Sequence, residues 1–128
     1  MKGAQRFPAA LVAAIDRNKI LGVRAGTEPH RVIGIWVVVV GRRVFVRSWG
    51  VKANGWYRAW RKDPVGVMTV QGRAREIPVH AVPVRSERAK RAVSDAYATK
   101  YNTPGSLRYV RDLARKKCRD ATLELVPR

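Results

Sequence analysis

The sequence predicts an α+β protein whose β-strands curve into a small barrel with helices beside it. Three observations support this: an almost continuous run of β-branched and aromatic residues at 32–40, a hairpin signal at 41–42, and an alternating strand at 121–126 that follows two predicted helices. A strand that joins the sheet after intervening helices often closes a small barrel. The chain has 128 residues, so we expect a single barrel domain over 1–128.

The N-terminal third is predicted to hold one helix and two strands. Pro8 suits the first turn of a helix, and apolar residues at helical spacing predict that this helix runs over 8–17. Its apolar face consists of Leu11, Ala14 and Ile15. A first strand is expected at 19–24. The run at 32–40 is typical of a strand that is covered on both faces.

A hairpin, a loop and a short helix are predicted in the middle of the chain. The pair Gly41-Arg42 occupies the centre of a two-residue turn, with glycine in the first position. The return strand is expected at 43–49, with Val44 and Val46 alternating against residues 45, 47 and 49 of the opposite face, and a loop is expected at 50–55. A helix then runs over 56–62 and ends at Asp63-Pro64, because the residue before a proline is biased away from helical backbone angles.

The C-terminal half is predicted to contain two strands, two helices and the closing strand. The strands are expected at 65–71 and 73–84, with a turn at Gln71-Gly72. A helix begins after the N-cap Ser86 and runs to about residue 101, and a second helix covers 106–117. With the closing strand, the predicted barrel has six strands.

The charge of the chain favours anionic ligands without naming one. Lys and Arg number 27 against 9 Asp and Glu, a formal net charge of +18. Such a field attracts nucleic acid, anionic lipid and phosphorylated small molecules. The lone Cys118 excludes an internal disulfide framework and a thiolate zinc site, so we expect a reducing, cytoplasmic environment. The longest apolar run, at 32–40, is too short to span a bilayer, so no membrane partner is expected.

The residue types of hydrolytic and metal catalysis are not grouped in this sequence. His30 and His80 are the only histidines and lie on different segments, and no nucleophile elbow, zinc-protease motif or carboxylate pair of clear spacing is present. We therefore assign no catalytic residue and no metal site from the sequence.

A basic stripe near the C-terminus provides one alternative function. It consists of Arg108, Arg111, Arg115, Lys116, Lys117 and Arg119. Arginines at spacings of three and four share a helix face and can contact successive phosphates, so a nucleic-acid-binding module is one interpretation. A solvated basic face is the favoured interpretation, because no RNA-recognition, KH or zinc-finger pattern accompanies the stripe.

The segment 43–58 is the most informative candidate site. A strand ends at Ser48, and loop amides, the serine hydroxyl and the start of the next helix can all donate to a phosphate. Arg47 and Lys52 supply charge. Three aromatic residues can wall a planar ring, namely Trp49, Trp56 and Tyr57. The residues alone leave a second interpretation equally open, in which the tryptophans simply plug the end of the barrel.

The same segment resembles the split β-barrel superfamily, which includes pyridoxamine-phosphate-oxidase-like FMN proteins and deazaflavin-dependent nitroreductases. The resemblance rests on a strand end with Ser48 and Gly50, the Trp56-Tyr57 pair, the Asp63-Pro64 helix end and the Arg31–Ile35 strand. The chain looks closest to a smaller bacterial family of unknown function on this fold. Its shared motifs stand here at 35–38, 46–48, 56–58 and 125–128.

The resemblance implies a six-stranded split β-barrel with flanking helices that binds FMN or a deazaflavin nucleotide. It further implies an oxidoreductase that uses this cofactor for hydride transfer, and a homodimer. The implied cofactor-binding residues are Arg31, Arg47, Ser48, Trp49, Gly50, Lys52, Trp56 and Tyr57. Tyr97 and Tyr101 would close a substrate pocket. The sequence does not separate FMN from deazaflavin or haem, and a ligand-free dimeric scaffold is the remaining alternative.

Overall fold

Seven antiparallel strands form one sheet in the computed structural model, which describes residues 6–52 and 55–128. The strands are β1 (Ile20–Ala25), β2 (Ile33–Trp36), β3 (Val38–Val40), β4 (Arg43–Arg47), β5 (Val65–Thr69), β6 (Ile77–Pro83) and β7 (Thr122–Pro127). The helices are α1 (Ala9–Arg17), α2 (Trp56–Lys62), α3 (Glu87–Lys100), α4 (Leu107–Leu113) and α5 (Lys116–Arg119).

The order of the strands explains why the sheet curls into a nearly closed barrel. Neighbouring strands follow the order β2-β1-β5-β6-β7-β4-β3, and all six pairings are antiparallel. The two strands at the ends of this order, β2 and β3, are consecutive in the chain and are separated only by Val37. The chain therefore joins the two edges of the sheet, and the predicted barrel is confirmed. The closing strand β7 lies between β6 and β4, as a strand that returns after helices was expected to do.

The predicted strand at 32–40 is divided in two, which corrects the strand count from six to seven. Val37 interrupts it, because its backbone bonds to side chains of α3 and its C-cap in place of a neighbouring strand. The Val37 N–H donates to the Tyr101 hydroxyl at 2.9 Å, and the Val37 carbonyl accepts from Lys100 Nζ at 2.9 Å. Only the second part is covered as predicted: Val38 is buried, whereas Ile33 is 39% exposed.

Two predicted hairpins are present with corrected details. Gly41 and Arg42 join β3 to β4 with φ angles of 56° and 69°. Because both central residues are left-handed, the turn is type I′, whereas a turn with only its first residue left-handed would be type II′. The second hairpin is looser than predicted, since β5 ends at Thr69, β6 begins at Ile77 and the connection spans 70–76.

Two apolar clusters lie on opposite faces of β4. Val44 and Val46 point into the barrel, where a large cluster includes Ile15, Leu21 and Trp60. Phe45 belongs to a second cluster between the barrel and the C-terminal helices, with Val93, Tyr97, Tyr101 and Leu113. The alternation predicted for this strand is therefore confirmed, but helices cover its outer face and bury Arg47 as well.

The C-terminal helices begin close to the predicted positions, but the second of them is interrupted. Ser86 caps α3, since its Oγ accepts from the Ala89 N–H at 3.1 Å. The single helix expected at 106–117 is divided into α4 and α5, because Arg115 has an extended backbone with φ −73° and ψ 155°. At this break the Leu113 carbonyl accepts from the Arg47 side chain at 2.9 Å, which satisfies one of the unpaired carbonyls at the end of α4.

Candidate functional site

The break between β2 and β3 borders a cavity that we call the aromatic cleft. Its volume is about 400 Å³, which lies within the range of roughly 300–1,000 Å³ that is usual for small-molecule sites. Strands β1, β2 and β4, the start of α2 and one side of α4 contribute to it. The lining residues are Ile20, Gly34, Ile35, Trp36, Arg47, Trp49, Trp56, Tyr109 and Leu113.

Aromatic side chains brace one another around the cleft. The Trp36 indole stacks on the buried Tyr101 ring, with centroids 4.0 Å apart. Tyr109 meets Trp36 and Trp49 edge-on, at centroid distances of 6.3 and 5.8 Å. Trp49 is 53% exposed, yet its Nε1 donates to Asp112 Oδ2 at 3.2 Å. The walls of the cleft are therefore aromatic rings fixed by contacts with one another, and such surfaces suit a flat ligand ring.

A smaller basic recess adjoins the cleft and shares Trp56 with it. Its volume is about 240 Å³, and the lining residues are Val23, Arg24, Ala25, His30, Arg31, Ile33, Gly55, Trp56 and Ala59. The Arg24 charge is compensated, because two of its nitrogens donate to the Glu76 carboxylate at 2.8 and 3.0 Å. Arg31 is exposed and has no ion pair within the described residues. The recess thus offers one uncompensated cation beside the aromatic cleft.

The Ser48 loop lies next to the cleft and is held by hydrogen bonds of the Ser48 backbone and side chain. The Ser48 N–H donates to the Ala121 carbonyl at 3.1 Å, and its Oγ accepts from the Val51 N–H at 3.0 Å. Val51 has a φ of 46°, a left-handed conformation that is rare for a β-branched residue. Lys52 is exposed, and its carbonyl accepts from the Gly55 N–H at 3.0 Å. The loop is therefore a strained, tightly turned rim.

The Arg47 side chain is buried and makes four hydrogen bonds to the protein. Its Nε donates to Thr122 Oγ1 at 2.8 Å, and Nη1 donates to Ser94 Oγ at 2.7 Å and to the Leu113 carbonyl at 2.9 Å. Nη2 donates to the Lys90 carbonyl at 2.8 Å. Burial lowers the pKa of Arg47. All of these acceptors are neutral, so in the part of the chain that the structure describes the guanidinium has no counter-ion.

With this geometry established, the comparison with known proteins identifies the family. Residues 10–125 match the family described as "Uncharacterized protein conserved in bacteria (DUF2255)". The chain belongs to this family. The resemblance to a bacterial family of unknown function is therefore confirmed. No curated protein matches the sequence.

Solved structures similar to this DUF2255 protein confirm the fold. A conserved hypothetical protein, Rv2991 from Mycobacterium tuberculosis, is similar with a TM-score of 0.58 at 14% identity, covering 98% of this chain and 82% of that one. A structure from Listeria innocua described as "Putative Pyridoxamine 5'-phosphate oxidase" is similar with a TM-score of 0.57 at 11% identity, covering 91% and 87%. At these identities the likeness establishes the fold alone, and the predicted split-barrel class is confirmed.

The predicted cofactor residues of this DUF2255 protein are distributed over three neighbouring places. Arg47, Trp49 and Trp56 line the cleft, and Arg31 lines the recess. Ser48, Gly50 and Lys52 form the adjacent rim. The predicted role of Arg47 as a phosphate clamp is not retained, because four of its five N–H donors bond to the protein.

Three predicted tyrosines lie away from the two cavities. The Tyr57 hydroxyl accepts from Arg61 Nη1 at 3.0 Å and donates to the Asp120 carbonyl at 3.3 Å. Both bonds hold the side chain away from the cleft. Tyr101 stands behind Trp36, and burial raises its pKa to about 12. Tyr97 is fully buried, burial raises its pKa, and its hydroxyl has no partner in the described residues. We therefore do not retain them as walls of the aromatic cleft or of the basic recess.

Trp36 and Tyr109 are cleft residues that the sequence interpretation missed. Trp36 sits inside the apolar run, where it resembles a core residue. Tyr109 directly follows Arg108 on α4, and the Arg108 guanidinium carbon lies 5.2 Å from the centroid of its ring. An aromatic residue at an otherwise basic position of an amphipathic helix is the one signal that can mark such a residue.

The basic stripe does not form one helix face, because α4 ends before α5 begins. Lys116 Nζ pairs with Asp120 at 2.6 Å, and Arg115 approaches Asp112 at 3.8 Å. Cys118 is buried, its Sγ donates to the Trp49 carbonyl at 3.3 Å, and burial raises its pKa. Nucleic-acid binding by the stripe stays a prediction.

Residues 6–52 and 55–128 lack two features that would indicate a metal centre or a membrane span. Within these ranges no group of three or more His, Cys, Asp or Glu side chains could hold a metal ion. None of the helices described there is both long enough and apolar enough to cross a membrane.

Proposed function

We propose that this DUF2255 protein binds a phosphorylated planar cofactor of the flavin or deazaflavin type. One observation carries the proposal: the aromatic cleft and the basic recess share Trp56. If the cofactor ring lies among the tryptophans of the cleft, its phosphate-bearing chain would pass beside Trp56 into the recess, within reach of the Arg31 side chain. The cavity that suits an apolar ring is thus adjacent to the cavity that suits a phosphate.

The residues present fit such a group. Trp36, Trp49 and Trp56 offer flat apolar surfaces, and strands β1, β2 and β4 with helices α2 and α4 supply most of the lining of the cleft. Arg31 supplies charge-assisted donors, which bind a phosphate more strongly than neutral donors do. Ser48 keeps its hydroxyl proton for donation, since its oxygen serves as an acceptor in the only side-chain hydrogen bond it makes within the described residues. When bound, a flavin or deazaflavin supplies hydride transfer.

The protein's own part in that chemistry would be positioning and exclusion of water. Trp36 cannot swing away, because the Tyr101 ring lies against its back face. Trp49 is fixed by Asp112 and Tyr109. These contacts would hold the ring at one depth and leave its outer edge open to a second substrate. We therefore propose an oxidoreductase in which the cofactor carries the hydride.

The exposed apolar residues beside the cleft support a homodimer as part of this proposal. Ile20, Val32 and Ile33 are 50%, 38% and 39% exposed, and all three lie on or beside β1 and β2. A second copy that covered them would also narrow the mouth of the cleft. Sedimentation equilibrium of the full chain tests this, and a purely monomeric protein at high concentration would refute the dimer.

The proposal is tested by titrating the protein with FMN and with a deazaflavin nucleotide while following ligand fluorescence. We expect saturable quenching for at least one of them. Arg31→Ala should weaken binding about ten- to a hundredfold, the loss expected for one charged hydrogen bond. Arg73→Ala removes the same charge from the exposed turn after β5 and should bind like the native protein. Absence of saturation with both ligands would refute the proposed function.

A further inference from the structure

We infer that the aromatic cleft takes a planar aromatic anion, and that Arg47 selects for its negative charge. The inference rests on the cleft of the proposed function but not on the occupant being a flavin. Arg47 and Leu113 are the least exposed of the lining residues, at 4% and 3%. They therefore mark the deepest part of the cleft, where a bound ring would have its inner edge.

Among the residues that the structure describes, nothing compensates the positive charge at this depth. Buried arginines are usually paired with a carboxylate, because an isolated buried charge is costly. The Arg47 acceptors are two carbonyls and two hydroxyls. The ionisable groups that influence it are Tyr97, Cys118 and Arg119. Burial keeps the first two neutral, and the third adds further positive charge.

The guanidinium is held in place and still has capacity to donate. Leu113 is the last residue of α4, so its carbonyl belongs to the negative end of that helix and favours a nearby cation. Nη2 makes one hydrogen bond, to the Lys90 carbonyl, although it carries two protons. Its second proton has no acceptor within the described residues. An anionic group at the inner end of the cleft would accept it.

The surrounding walls decide which anions fit. Small hydrated anions would lose water against the apolar surfaces of Trp36 and Tyr109 without gaining a stacking partner. A neutral ring would gain stacking but leave the Arg47 charge uncompensated. An aromatic ring with a negative substituent gains both, and its attraction to Arg47 is strengthened because the bound ring would displace water from the inner end of the cleft.

A matched pair of fluorescent probes tests the inference. The anionic probe is 8-anilinonaphthalene-1-sulfonate and the neutral probe is N-phenyl-1-naphthylamine, which has the same rings without the sulfonate. Titrations of the full chain at about 0.5 M salt screen the general field of the net positive charge. We expect the native protein to bind the sulfonate about ten- to a hundredfold more tightly than the neutral probe.

Two variants that each remove one positive charge separate Arg47 from the rest of the surface. Arg47→Met should abolish the preference for the sulfonate, and Arg47→Lys should keep part of it. Arg111→Met removes an exposed charge from α4 and should keep the preference unchanged. The inference is overturned if the native protein binds both probes equally, if the sulfonate does not saturate, or if Arg111→Met behaves like Arg47→Met.

A measurement on the native protein remains decisive if Arg47→Met does not fold. The buried Nε–H of Arg47 should give its own signal in a nitrogen–proton correlation spectrum, identified by its absence from Arg47→Lys. Saturation with the sulfonate should move this signal, and the neutral probe should leave it in place. An unmoved signal at saturation overturns the inference. Flavin titrations that fail while the probes behave as expected would refute the proposed function and leave this inference standing.

Discussion

The rings of Trp36 and Tyr101 lie almost parallel, with planes 8° apart and centroids 4.0 Å apart. The same tyrosine hydroxyl accepts from the Val37 N–H at 2.9 Å and donates to the Lys19 carbonyl at 2.6 Å. Tyr101 thus joins the wall of the aromatic cleft to the point where the barrel strand is interrupted. The position of the cleft depends on a residue at the far end of α3.

Tyr101→Phe separates these two roles. The ring stack on Trp36 is kept, but the buried Val37 N–H and the part-buried Lys19 carbonyl lose their partner. We expect the free energy of unfolding to fall by about 1–3 kcal/mol, the cost of leaving buried polar groups unsatisfied. Urea denaturation followed by far-UV circular dichroism measures it. Tyr109→Phe removes a hydroxyl that makes no hydrogen bond in the described residues and should change stability by less than about 0.5 kcal/mol. Equal losses in the two variants would contradict the assigned role.

Gly66 is expected to be intolerant of any side chain. A Cβ placed there would lie 2.5 Å from the Arg24 carbonyl oxygen and 2.6 Å from Trp60 Nε1. The indole cannot move freely, since it donates to the Val65 carbonyl at 3.1 Å. Gly66→Ala should therefore lower the free energy of unfolding by about 1–3 kcal/mol through overpacking.

Gly105→Ala is the matched control for that variant. A Cβ at this position meets no atom of the described residues within 4 Å, so the substitution is expected only to restrict the unfolded chain. We expect the free energy of unfolding, measured by heat or urea, to rise by about 0.4–1 kcal/mol. If Gly66→Ala is as stable as Gly105→Ala, the prediction is contradicted, because Arg24 and Trp60 would then make room for the added methyl group without loss of stability.

The elements that the sequence predicted correctly are those with local signals. The Ser86 cap, the turn at Gly41-Arg42 and the helix that ends before Pro64 each depend on a few adjacent residues. The alternation in β4 was equally readable, because period two is a property of the strand itself. Local chemistry was therefore enough for the barrel class and for most element positions.

The parts that failed depend on contacts between distant residues. Val37 interrupts its strand because of a hydroxyl and an amine 64 and 63 positions away. Arg47 has the residue type of a phosphate ligand, but α3 and α4 cover that face of β4 and supply carbonyls to it. Tyr97 is buried for the same reason. Nothing adjacent in the sequence records which helix will cover which strand face.

The hairpin between β3 and β4 can be improved by changing its two turn residues. Both have positive φ angles, which cost an L-residue such as Arg42 about 1–2 kcal/mol. Gly41→Asn with Arg42→Gly gives the pair that type I′ turns favour. We expect this double variant to raise the free energy of unfolding by about 1 kcal/mol. Arg42→Ala removes the same guanidinium without relieving the backbone and should give no gain. A double variant no more stable than Arg42→Ala would contradict this account.

Because Lys100 loses its proton in the folded protein first, the free energy of unfolding should increase as the pH rises from about 8 towards 10. Burial lowers the pKa of Lys100 from 10.5 to about 8, with Asp16 opposing the shift and Lys19 adding to it. Between these values the unfolded chain binds a proton that the folded protein does not, so the free energy of unfolding increases with pH. Above about 10 the trend reverses, because the pKa of Tyr101 is raised from 10.0 to about 12 and the unfolded tyrosine loses its proton first.

Urea unfolding of the native protein at several values between about pH 7 and 9.5 measures the effect. Lys100→Met should remove the rise, since no titrating amine is then left against the Val37 carbonyl. Lys62→Met replaces an exposed lysine on α2 and should keep the rise. If stability climbs equally in the native protein and in Lys100→Met, a different group titrates in this range. If it falls instead, the Lys100 ammonium is better stabilised by the carbonyls of Ile15 and Val37 than its burial indicates.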